Sequence, residues 1–320
     1  MLLIDSTPSR RFVFASDAVT LPAGGVTMAK RAREGFVRVE GGRVSYRIVG
    51  GSGGGAPLIT LHGGPGAPHD YLEPLEALAD ERPVIFYDQL GCGKSDRPTD
   101  NKLWRVERFV KELAQLRSAL KLDRAHILGQ SWGTMLAVDY LLTRPIGIAS
   151  VILADPAISI PRWIADANRL RRKLPKAVRD TLDRHEKAGN IECLEYQAAT
   201  LAFYKRHVCR LEPWPPAMER MMRGIGGDVY GTMWGPNEFI ASGTLKDYDR
   251  SARLREISLP TLLLCGRYDE ATPESTAFYR RQIRGAEMVV FEKSSHMPQL
   301  EEPAKYIRLV RDFLRRAENH

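Results

Sequence analysis

Five consecutive residues, Gly129-Gln130-Ser131-Trp132-Gly133, constrain this chain more than anything else in it. The pentapeptide G-x-S-x-G is weak evidence alone, but here a short apolar run at 126–128 precedes it and a helix-like stretch follows. A serine held on a sharp strand-to-helix turn presents its hydroxyl above the carboxyl end of a sheet, and the glycines on either side let neighbouring backbone come close. Ser131 is therefore expected to be a nucleophile, and the sheet beneath it to be mostly parallel.

The rest of the chain agrees with such a sheet. Apolar runs at 58–61, 84–87, 151–153, 261–265 and 288–291 read as strands. Val106, Phe109, Val110, Leu113, Leu116 and Leu120 recur at helical spacing, as do Ile307, Val310, Phe313 and Leu314. Continuous apolar strands alternating with amphipathic helices describe an α/β fold with both sheet faces covered. Two runs at 36–39 and 44–49, split by Gly41-Gly42, read as a hairpin. Residues 157–250 break the rhythm: they carry Pro161, Pro175, Pro213, Pro215 and Pro216 among helix-prone stretches and no strand-like run. The expected organisation is a core of 35–156 and 251–320, a helical cap at 157–250 over the carboxyl ends of the strands, and an N-terminal arm at 1–34.

Composition excludes several other classes. With 320 residues and 4 Cys, none in a C-x-x-C pair, the chain is neither a disulfide scaffold nor a zinc module, and no metal or cofactor is expected. No apolar run reaches the roughly 18 residues of a membrane span. Ser9-Arg10-Arg11-Phe12 has a twin-arginine look, but Asp17 interrupts the apolar stretch behind it, so a cytoplasmic protein is expected. Half of the net charge of +8 belongs to 157–250, where Arg162, Arg169, Arg171, Arg172, Lys173, Lys176, Arg179 and Arg184 are interspersed with acids. Such spacing fits a solvated helix face, so no nucleic-acid partner is expected.

A serine nucleophile needs a base, and the base needs an orienting acid. His296 follows the run at 288–291 and precedes a terminal helix, and Asp269 follows the run at 261–265; both suit a Ser…Asp…His order. His126 lies inside a strand, and His185 and His207 lie in the cap, the latter within reach of a cavity. In His62-Gly63-Gly64-Pro65-Gly66, after the run at 58–61, backbone N–H groups of a glycine-rich turn can receive an oxyanion, and the amides of Gly64 and Trp132 are the expected pair. His62 then serves to fix the turn. Gly91-Cys92-Gly93-Lys94-Ser95 imitates the tail of a P-loop, but Asp88 stands where the first glycine belongs.

The segments His62 to Gly66, Asp88 to Ser95 and Gly129 to Gly133 together resemble the proline iminopeptidases, serine aminopeptidases of the α/β-hydrolase fold. Trp214-Pro215-Pro216, Gly235-Pro236-Asn237-Glu238-Phe239 and Gly243-Thr244-Leu245-Lys246-Asp247 look like the branch typified by the archaeal tricorn-interacting aminopeptidase. The resemblance implies removal of one N-terminal residue, often proline, from short peptides. It also implies carboxylates for the substrate ammonium at Glu238 and Glu270, and aromatic pocket walls at Trp132 and Tyr204. An L-amino-acid amidase would use the same site on amino-acid amides. An esterase would have no use for Glu238, and a binding protein on the same shell would not be labelled at Ser131.

Overall fold

The computed structural model describes residues 32–51 and 53–319. An eight-stranded sheet runs in the order β1-β2-β4-β3-β5-β6-β7-β8. Its strands are β1 (Ala32–Val39), β2 (Gly42–Val49), β3 (Leu58–Leu61), β4 (Val84–Tyr87), β5 (Ala125–Gln130), β6 (Ile148–Ala154), β7 (Thr261–Gly266) and β8 (Glu287–Phe291). The pairs β1/β2 and β2/β4 are antiparallel and all the others parallel. In β3, β4, β5 and β7 every residue is buried, which is why these segments read as unbroken apolar runs. Successive side chains go to opposite faces: Ile59, Ile127, Leu153 and Leu263 join one core, and Leu58, Leu128, Ile152 and Leu264 the other.

Two helices in the core flank the nucleophile strand on one face. In α1 (Val106–Ala119) the stripe Phe109, Leu113 and Leu116 is buried, and α2 (Trp132–Leu142), directly behind the turn at Ser131, is enclosed almost all round. On the other face the C-terminal helix (Pro303–Glu318) buries Tyr306, Val310, Phe313 and Leu314 and leaves its arginines outward.

Between β6 and β7 the chain forms α3 (Ile160–Arg171), α4 (Lys176–Ala188), α5 (Leu194–His207), α6 (Pro216–Gly224) and α7 (Gly227–Met233). Its two crossings are tied at the base, where Ser159 bridges Asp249 and the Ser159 hydroxyl donates to Asp249 Oδ2 at 2.8 Å. The basic surface of these helices is paired with acids: Arg171 with Asp183 and Glu186, Arg184 with Glu195, and Lys176 with Asp180. No helix among the described residues is long and apolar enough to cross a membrane.

The expected arm at 1–34 needs correcting at its inner end. Residues 1–31 lie outside the described residues, but Ala32, Arg33 and Glu34 already belong to β1, paired with Val49, Ile48 and Arg47. Their side chains are exposed, so hydrogen bonding to β2 rather than an apolar pattern holds them in the sheet.

Candidate active site

Ser131 sits at φ 54°, ψ −121°, a left-handed conformation imposed by the turn from β5 into α2. The turn is tight enough to demand glycine on both sides. A Cβ on Gly129 would lie 2.2 Å from the Gly133 carbonyl oxygen, and one on Gly133 would lie 2.1 Å from that of Leu61. Gly133→Ala is accordingly expected to lower unfolding stability by about 3 kcal/mol or more, read as a shifted urea midpoint.

Asp269 follows β7 and His296 follows β8, so the sheet delivers both to the same edge as Ser131. His296 Nδ1 lies 2.7 Å from Asp269 Oδ1, which leaves Nε2 as the nitrogen able to take a proton. Both residues are buried. Asp269 also accepts the Ala271 amide at 2.8 Å, which fixes the loop that carries it. Against His296 stands an aromatic that sequence reasoning missed: Trp163 meets the imidazole edge-on at 5.7 Å, and Trp234 packs edge-on against Trp163, not the imidazole, at 5.6 Å.

The turn at His62 is braced through its neighbours. His62 Nε2 accepts the Gln89 amide at 2.8 Å and Nδ1 lies 3.0 Å from the Gly63 carbonyl, so the ring is the Nδ1–H tautomer. Burial brings this imidazole down to about 4, so it is neutral and fixes the turn. The Gly63 amide is committed to Tyr71 Oη at 2.6 Å. Gly64, at φ +105°, is a position where a Cβ would meet the Ala67 nitrogen at 2.6 Å. At the start of α2, Trp132 has a backbone N–H that helix geometry leaves without an intrahelical acceptor.

The Asp88 to Ser95 loop uses its polar groups internally. Burial opposes ionisation of Asp88, but His69 and the Lys94 amide bring its carboxyl down to about 2. Gln89 Oε1 accepts the Trp132 indole N–H at 2.8 Å, and its amide nitrogen donates to the His62 carbonyl at 3.1 Å. The loop is thus a brace between the two turns around Ser131. It also overturns the expectation that the Trp132 ring walls a pocket: that ring is wholly buried and packs edge-on against Phe109 at 5.6 Å.

Glu238, Glu270 and Tyr204 come together with a fourth residue, Tyr230. The Tyr230 hydroxyl donates to Glu238 Oε1 at 2.7 Å. Glu238 is partly accessible, and Glu270 is buried with Oε2 lacking a protein partner. Burial raises both carboxyls; the Glu238 and Asp269 charges push Glu270 further, well above the carboxylate range. Burial and these two carboxylates also push the Tyr204 hydroxyl well up. Tyr230 carried no sequence signal, because its meeting with Glu238 arises from the chain reversal after α7. His207 does not act from a cavity; its ring lies 2.7 Å from the Tyr268 carbonyl, and its own carbonyl accepts the His296 amide at 3.2 Å, tying α5 to both loops.

One oxygen each of Asp155 and Asp269 and one ring nitrogen of His296 lie within 4.8 Å of one another. His296 Nδ1 is engaged by Asp269, so this grouping has the character of a proton-bearing chain rather than an open set of metal ligands.

The alpha/beta hydrolase fold family matches residues 56–303. The chain is 51% identical over 282 residues to the proline iminopeptidase of Heyndrickxia coagulans, covering 88% of this chain and 98% of that one. It is 37% identical over 284 residues to the proline iminopeptidase of Saccharolobus solfataricus, covering 88% and 92%. The crystal structure of a Mycobacterium smegmatis proline iminopeptidase superposes with a TM-score of 0.84 at 36% identity, over 89% of this chain and 98% of that one. These matches do not separate an archaeal tricorn-interacting branch from the bacterial relatives.

Proposed function

Because the chain belongs to the proline iminopeptidase family of α/β hydrolases, we propose that it is a serine aminopeptidase releasing an N-terminal residue, proline or another small one, from short peptides. His296, oriented by Asp269, takes the proton of Ser131 as its oxygen attacks the first peptide carbonyl. The amides of Gly64 and Trp132 receive the oxyanion. His296 then protonates the departing amine, and water enters by the reverse path to release the acyl group. The working compartment is the cytoplasm, a reading supported by four cysteines that are all free.

The observation that carries the proposal is the carboxylate pair Glu238 and Glu270 beside the His296–Asp269 dyad. Two acids with raised pKa, enclosed together, suit one cationic ligand; a substrate ammonium would supply it, and a simple ester would not. Trp163, packed edge-on against the His296 ring and backed by Trp234, supplies an apolar surface beside the base.

A panel of aminoacyl arylamides and dipeptides tests this. Prolyl and alanyl arylamides, Pro-Xaa and Ala-Xaa are expected to turn over faster than prolinamide and alaninamide. The reverse order would make the enzyme an amino-acid amidase with the same site.

A further inference from the structure

Asp155 has no part in the steps above, yet it is wholly buried at the centre of the molecule. It directly follows β6, as Asp269 follows the adjacent strand β7, and the parallel register Ala154↔Leu264 brings the two loops side by side. Its backbone is held at φ 51°, with its N–H donating to the Leu264 carbonyl at 2.7 Å. A non-glycine residue in that conformation needs compensating contacts. Its side chain has one: Gln130 Nε2, which also donates to the His296 carbonyl at 3.1 Å, approaches Asp155 Oδ2 at 3.4 Å.

The remaining oxygens are informative. Asp155 Oδ1 and Asp269 Oδ2 are both buried and both lack a hydrogen-bond donor. An unsatisfied buried acceptor is costly, and two on neighbouring carboxylates would be doubly so. A single proton between them satisfies both.

We propose that Asp155 is a neutral carboxylic acid that donates its proton to Asp269, and is thereby a positioning residue for the acid that orients His296. This rests on the roles given to Asp269 and His296 in the proposed function. The groups facing Asp155 are Asp269, His296, Glu301, Tyr71, Tyr306 and Cys265. Of these only His296 can carry a positive charge, so an ionised Asp155 would add a second uncompensated anion next to Asp269. Burial first, and then the Asp269 charge, push the Asp155 carboxyl well above the carboxylate range, in agreement with this geometry. Asp269 thus keeps its single charge for His296, and its second oxygen is held against rotation. Gln130 links the arrangement to the turn at Ser131: its Oε1 accepts the Tyr71 hydroxyl at 2.7 Å, and Tyr71 in turn accepts the Gly63 amide.

Asparagine at 155 reproduces the protonated acid, with an oxygen for Gln130 and an N–H for Asp269, and alanine reproduces neither. The test compares the full-length wild type, Asp155→Asn and Asp155→Ala by the rate at which a fluorophosphonate labels Ser131 between pH 5 and 9, with kcat and KM on prolyl arylamide. Asp155→Asn is expected to label within about threefold of wild type, with the midpoint of the acid limb unmoved. Asp155→Ala is expected to lose about tenfold or more in labelling and in kcat, with KM unchanged. If the acid limb of Asp155→Asn moves down by about one pH unit or more, Asp155 was charged and the proposal fails. It fails equally if Asp155→Ala labels like wild type, or if Asp155→Asn does not fold. A wild type that is not labelled at Ser131 would instead overturn the serine nucleophile, and this proposal with it.

Discussion

Ser131→Ala should abolish turnover of prolyl arylamide, with a fall in kcat on the order of 10⁴ to 10⁶, because nucleophile, base and acid act as a unit and removing the first leaves the others with nothing to do. Stability should barely change. The hydroxyl is not what holds the turn; the turn is held by the Ser131 amide bonded to the Ala154 carbonyl at 3.0 Å, the Thr134 amide bonded to the Ser131 carbonyl at 2.8 Å, and glycine at 129 and 133. Steady-state kinetics with a thermal melt on the same sample checks both halves. A variant that keeps more than about one part in a thousand of wild-type kcat would show that another group performs the attack.

Glu238→Gln and Glu270→Gln should each lower kcat/KM on free-amine substrates by about a hundred- to a thousandfold, while leaving the slow hydrolysis of N-acetylated arylamides unchanged. The reason lies in what each carboxylate faces. Glu238 already accepts the Tyr230 hydroxyl, and burial and the neighbouring negative charges raise the Glu270 carboxyl well above its ordinary value in the substrate-free protein. An arriving ammonium favours the ionised pair, so binding releases protons. At low pH the ammonium must displace protons, and kcat/KM is small. It rises as the pair ionises, then falls as an ordinary α-amine loses its own proton at about 8. Loss of one carboxylate should move the rising limb to lower pH, because the survivor no longer feels a second negative charge. Kinetics across pH, with calorimetry of a non-hydrolysed amine ligand in two buffers of different ionisation enthalpy, reads the limb and the proton count separately.

The parts legible in the sequence share one property: they are local. Buried parallel strands leave unbroken apolar runs, so β3, β4 and β7 could be read directly, and the turn at Ser131 announced itself because steric demand at 129 and 133 admits only glycine. Asp269 and His296 were readable because each follows its strand at once and the order of the chain matches the order of the chemistry. β1 was read too short because its first residues are exposed and only pairing with β2 defines them. Trp132 was misjudged because an aromatic beside a nucleophile reads the same whether it faces the pocket or, as here, Phe109 and Gln89. Tyr230, Gln130, Tyr71 and Asp155 stayed hidden for a common reason. Each matters through a partner distant in sequence, such as Asp155 beside Asp269 across two strands, and no periodicity records that meeting.

The central claim is that a serine hydrolase site here is built to read a free N-terminus. The most direct measurement is kcat/KM of the wild-type protein on prolyl arylamide against its N-acetyl counterpart at neutral pH. A ratio of about a hundred or more is the predicted result, since acetylation removes the charge that Glu238 and Glu270 are placed to hold. A ratio near one, with both substrates hydrolysed well, would contradict it.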